Sequence, residues 1–149
     1  MNISRLHLKE QQLIQQYNSH PLDTTKRILL VNYENDVNYA LKLVLEGELS
    51  GIQVDSFNNP ILALKHFEKE PYNLLIIAVV MPRMNGFDLA KEIRKIDDKV
   101  RICFLIAGEI PNKLRIDPDC RQEEQSQDKF IRLPIENDEL ISEIEKIIV

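Results

Sequence analysis

The chain has 149 residues, 44% hydrophobic and 29% charged, with a formal net charge of -5. That length and balance fit one soluble domain with a proper core. The negative charge, with no basic run longer than Lys26-Arg27, argues against a nucleic-acid binder, and no apolar run reaches the roughly 18 residues a membrane span needs.

Two cysteines, Cys103 in an apolar run and Cys120 in a polar one, are too few for a disulfide framework. With no signal peptide legible at the start, the expected compartment is the cytoplasm, with thiols reduced.

In chain order, residues 1–25 read as a helical extension ahead of the main domain. Ile3, Leu6, Leu13, Ile14 and Tyr17 fall near one helical face, and Ser19-His20-Pro21 ends the helix. So short an amphipathic helix is marginal unless it packs on something: its own domain, or a second copy in a homodimer. A disordered leader is the third option.

The domain at 26–149 then alternates strand and helix. Arg27–Val31 reads as a buried strand, and Val37, Ala40, Leu41, Val44 and Leu45 repeat at helical spacing after it, with Gly47 or Gly51 as the stop. Ile52–Phe57 alternates apolar and polar like an outer strand. Asn59-Pro60 opens the next helix, and Ile61, Leu62, Ala63, Leu64 and Phe67 are its expected core face.

Leu74–Val80 is almost wholly apolar and closes on Pro82 and Asn85-Gly86, the pattern of a central parallel strand covered on both faces. A helix over Phe87–Ile96 with Ala90 and Ile93 inward, a strand over Arg101–Ala107, a strand over Phe130–Leu133 and a last helix with Leu140, Ile144 and Ile147 inward complete the pattern. Residues 108–129, interrupted by Pro111 and Pro118, read as a loop with at most short helical turns. Five such alternations make a doubly wound α/β fold, a five-stranded parallel sheet with helices on both faces. Chemistry in such sheets sits beyond the carboxyl ends of the strands.

Three pieces carry a resemblance that covers about Lys26 to Val149: Ile28-Leu29-Leu30-Val31 leading into a loop, Met81-Pro82-Arg83-Met84-Asn85-Gly86 after the central strand, and Arg132-Leu133-Pro134 after the fifth. With them the chain resembles the receiver domains of two-component response regulators. The resemblance implies a flavodoxin-like sheet of order 2-1-3-4-5 and a cis bond before Pro134.

It also implies a strand-end pocket that moves a phosphoryl group onto an aspartate. An acidic pair and the acceptor hold Mg²⁺ there, while a hydroxyl and a lysine hold the phosphoryl oxygens. In this sequence the acidic pair falls on Asn32 and Tyr33, the acceptor on Ala78, the hydroxyl on Ile106 and the lysine on Leu133. None keeps the family chemistry.

Glu34 and Asp36 are the residual carboxylates nearby; they suit the start of the helix that follows, with a weak cation site as the alternative. Tyr33, Ala78, Ile106 and Leu133 are expected to meet and plug the pocket. No cofactor and no metal is expected, and nothing pairs a nucleophile with a base, so the chain does not read as an enzyme.

The expected function is that of a non-phosphorylatable receiver-like module acting through contacts with protein partners, a signalling component among them. Its candidate surface is Phe130, which otherwise reads as a core or half-buried aromatic, with the N-terminal Ile3, Leu6, Leu13 and Tyr17. The alternative is a small-molecule sensor that uses the altered apolar pocket. A deep cavity would favour the sensor and a filled core the interaction module.

Overall fold

A computed structural model describes residues 25–112, 114 and 128–148. In chain order its elements are β1 (Lys26–Val31), α1 (Asn35–Glu48), β2 (Ile52–Phe57), α2 (Pro60–Lys69), β3 (Leu74–Ala78), α3 (Gly86–Ile96), β4 (Arg101–Ala107), β5 (Lys129–Leu133) and α4 (Asn137–Ile148). The five strands form one parallel sheet in the order β2-β1-β3-β4-β5, with Val31 beside Ile77, Ala78 beside Leu105 and Ala107 beside Leu133. The doubly wound expectation holds, and the Leu133–Pro134 bond is cis. The N-terminal helix and most of the 108–129 loop lie outside the described residues.

Each β3 residue is buried, because the sheet is covered on both faces. Alternation along the strands sends one set of side chains to α2 and α3: Leu29, Leu75, Ile77, Phe104 and Ile106 meet Ala63, Phe67, Phe87 and Ile93. The other set goes to α1 and α4, where Ile28, Leu30, Ile76, Cys103 and Leu105 meet Leu41, Leu45, Leu140 and Ile144. Burial pushes the Cys103 thiol up to about 12, so it is a core residue rather than a reactive one. None of the described helices is long and apolar enough to cross a membrane.

Helix ends follow local chemistry. The Asn59 side chain accepts from the backbone N–H groups of Ile61 (2.9 Å) and Leu62 (3.4 Å), and Pro60 follows it at the first helical position. Asn85 caps α3 by accepting from Asp88 N at 2.9 Å. The chain turns after α1 at Gly51 (φ 72), and Gly47 lies within the helix.

Two helix faces depart from the expectation. On α2 the buried residues are Pro60, Ala63 and Phe67, while Ile61 and Leu62 are exposed. On α1, Ala40 faces out and Asn38 faces in. The Asn38 amide donates to the Asn32 carbonyl at 2.7 Å, tying the helix to the end of β1.

A polar cluster joins β1, β2 and the turn before β3. Arg27 donates to Asp55 Oδ2 and to Glu70 Oε2, each at 2.7 Å, and lies 4.7 Å over the Tyr72 ring. Tyr72 donates its hydroxyl to Asp55 at 2.6 Å. Partial burial works against the Asp55 carboxylate, but Tyr72 and Arg27 outweigh it and hold its pKa below the usual carboxylate range.

Because that folded-state pKa is depressed, the cluster's stabilisation is present above the unfolded value, about 3.9, and is lost as pH falls through the lower folded value. Asp55→Asn is expected to lower stability by about 2 kcal/mol at neutral pH. Urea titrations from neutral pH down to about pH 3 should show the gap to the unsubstituted protein closing below about pH 4.

Candidate functional site

The carboxyl ends of β1, β3, β4 and β5 converge on one small cleft of about 80 Å³. Asn32, Tyr33 and Glu34 come from the loop after β1, Ala78 and Val80 from the end of β3, Ala107 from β4 and Leu133 from β5. The register explains the meeting, since Ala78 stands beside Leu105 and Ala107 beside Leu133. Backbone bonds fix the rim: Asn32 N donates to Phe57 O at 3.1 Å, Val79 N to Leu105 O at 2.9 Å, and Gly86 N to Val79 O at 2.8 Å.

Ile106 is not part of this cleft. Pleating turns it to the α2/α3 face, where it is 3% exposed in the layer that holds Phe104 and Phe87. Tyr33 is 45% exposed and stands on the rim instead of inside. The expected plug of Tyr33, Ala78, Ile106 and Leu133 is therefore corrected. Asn32, Tyr33, Ala78 and Leu133 line a shallow cleft, and Ile106 packs separately beneath it.

The polar complement of the cleft is small. Asn32 is buried, and its side-chain amide lies 3.5 Å from the Glu34 carbonyl. Among the described residues Glu34 is the one carboxylate of the lining, and it sits at the N-cap of α1 without a side-chain capping bond. Asp36 lies in the first turn of α1, outside the cleft, where its charge suits the helix N-terminus. Among the described residues no three His, Cys, Asp or Glu side chains are grouped to hold a metal.

Phe130, read as a core or half-buried aromatic or otherwise part of a partner surface, is half-buried. Its ring stacks on Phe104 at 5.2 Å and lies 6.4 Å from Phe87, which is itself 5.0 Å from Phe104. The half-buried ring closes an aromatic layer between β4, β5 and α3. Ile3, Leu6, Leu13 and Tyr17, the rest of that expected surface, lie outside the described residues.

Sequence reading missed a different apolar surface. Tyr39 (67% exposed) and Leu43 (55% exposed) sit one turn apart on α1, the helix that begins at the cleft. The buried stripe Asn38, Leu41 and Leu45 sets the phase that turns them out, and the buried asparagine hid that phase in the sequence.

The model of the response regulator receiver domain matches residues 28–145. The chain belongs to the response regulator receiver family. Over 124 residues this receiver is 34% identical to the response regulator receiver protein CpdR of Brucella abortus, an alignment covering 83% of this chain and 98% of that one. It is 34% identical over 83 residues to the transcriptional regulatory protein CpxR homolog of Haemophilus influenzae, spanning 35% of that longer protein.

Among solved structures, the response regulator TrrA of Thermotoga maritima in complex with Mg²⁺-BeF is 30% identical. It has a TM-score of 0.67 and covers 83% of this chain and 99% of that one. TrrA in complex with the histidine kinase ThkA gives 30% identity and a TM-score of 0.68, over 84% of this chain and 100% of that one.

Proposed function

We propose that this receiver is a signalling module that takes no phosphoryl group at its strand ends and works through protein contacts. The observation that carries the reading is Ala78 at the carboxyl end of β3, lining a cleft that Leu133 of β5 also lines. A methyl group accepts no phosphate, and Leu133 brings no charge to a developing phosphoryl anion.

The donor set also does not fit the Mg²⁺ that the family chemistry uses. One carboxylate on a helix N-cap, a buried amide and apolar neighbours fall short of the hard oxygen ligands that this ion selects. Without a phosphate or a metal to bind one conformation better than another, those ligands cannot shift the receiver between states. Its signal is then set by the level or the state of a partner.

The complex of TrrA with ThkA supports a histidine kinase or another signalling protein as that partner. The exposed Tyr39–Leu43 stripe on α1, with Tyr33 and Val80 on the cleft rim, supplies apolar contact area of the kind such docking needs. The residues ahead of Lys26 would add a second contact surface in this reading. The sensor alternative draws no support from the cleft, whose volume of about 80 Å³ lies far below the roughly 300 Å³ of ordinary ligand pockets.

Calorimetric titration of the full chain with Mg²⁺ at neutral pH is expected to give no saturable heat. A saturable signal abolished by Glu34→Gln would place a cation in the cleft and overturn the proposal.

A further inference from the structure

At the opposite end of the sheet a groove of about 600 Å³ runs between the C-terminal ends of α3 and α4, beneath the first residues of β4 and β5. Five cations line it: Arg94, Lys99, Arg101, Lys129 and Lys146. With Asp98 and Asp128 also in the lining, cations outnumber carboxylates by three, a local reversal in a chain of net charge -5. Helix-end electrostatics explains Arg94 and Lys146, which lie in the last turns of α3 and α4. It does not explain Lys99, in the connection before β4, or Arg101 and Lys129, the first residues of two strands.

The groove already shows which chemistry it grips. Arg94 holds the Asp128 carboxylate through both guanidinium nitrogens, one of them at 2.9 Å. Lys129 and Lys146 share Glu143 at 3.3 and 3.4 Å. Arg101 donates to the Ile147 carbonyl at the end of α4. These intramolecular partners engage four of the five cations. Lys129 and Lys146 stay 47% and 63% exposed, and Lys99 is exposed beside them.

We infer that this groove is a docking site for an acidic polypeptide segment of a partner protein, separate from the strand-end cleft and independent of what the cleft can bind. Two features favour a peptide over a nucleic acid. Asp98 and Asp128 stand among the cations and would repel a continuous phosphate backbone, whereas spaced carboxylates can alternate with them. In addition, β5 is an edge strand of the described sheet, a setting in which extended peptides dock. The cations are also spread over α3, β4, β5 and α4, too widely for one small anion to engage them together.

The test is fluorescence anisotropy of a labelled oligoglutamate peptide titrated with the full chain at low and high ionic strength. Saturable binding that weakens with salt is expected, and Lys99→Glu with Lys146→Glu should lower the affinity about tenfold or more. Lys65→Glu with Lys69→Glu, on α2 and outside the groove, should leave it unchanged. If charge reversal lowers the melting midpoint, the pair Lys99→Gln and Lys146→Gln supplies the same comparison, with a smaller loss expected. Absence of saturable binding, or an equal loss in the α2 control, would overturn the site. A labelled single-stranded oligonucleotide bound more tightly through the same lysines would overturn the peptide assignment.

Discussion

Gly86→Ala is expected to destabilise the receiver by about 3 kcal/mol, at the upper end of what overpacking costs. A Cβ at position 86 would stand 2.3 Å from the Ala78 carbonyl oxygen and 3.0 Å from Ala78 C and Val79 Cα. All three are backbone atoms, so no side chain can swing aside. Relief requires lifting the start of α3 from the end of β3. That movement breaks the 2.8 Å bond from Gly86 N to Val79 O and opens the layer that holds Phe87, Leu89 and Ile93.

Gly47→Ala is the internal control, because its new methyl group meets nothing within 4 Å inside α1. It should stabilise by about 0.5–1 kcal/mol through helix propensity. Urea denaturation of both variants reads the contrast. Equal stabilities for Gly86→Ala and the unsubstituted protein would mean that α3 does not press on β3 as described.

Ala78→Asp is expected to cost about 2–3 kcal/mol at neutral pH. Position 78 is 7% exposed, and its neighbours in the cleft are Leu105 and Leu133. The new carboxylate would lose hydration and find no cation there, so its pKa in the folded state would rise. A raised carboxyl pKa means that the folded state holds the proton more tightly. The penalty is then full above that pKa and fades as pH falls through it.

Denaturation midpoints near neutral pH and near about pH 5 should therefore show the deficit of Ala78→Asp shrinking with acid. Adding Leu133→Lys should recover about 1 kcal/mol by supplying the missing charge. A deficit that is constant with pH would show that the loss is steric and that the cleft is not short of cations.

Much of the fold was legible because it depends on local rules. The apolar run that begins at Leu74 and closes on turn residues reads as a doubly covered strand, and Asn59-Pro60 carries its own cap and start. Of the five pocket positions that the resemblance implied, the strand ends bring Asn32, Tyr33, Ala78 and Leu133 to one cleft and leave Ile106 out of it.

What failed was orientation. Ile61 to Leu64 are four apolar residues in a row, so the sequence offered no phase, and the sheet took Ala63 and left Ile61 and Leu62 outside. Ile106 sits one residue from Leu105 and Ala107, and pleating sends it to the opposite face. Asn38 is buried because a backbone carbonyl needed its amide, a requirement that appears only after β1 and α1 are placed. The basic groove draws on four separate segments, so no spacing in the chain announces it.

The central claim is that the strand ends accept no phosphoryl group. Incubating the full chain with acetyl phosphate and Mg²⁺, then measuring its intact mass, tests this most directly. The expected mass is that of the unmodified chain, with none of it carrying an added phosphoryl group. A phosphorylated species whose modification maps to the loops after β1 or β3 would contradict it.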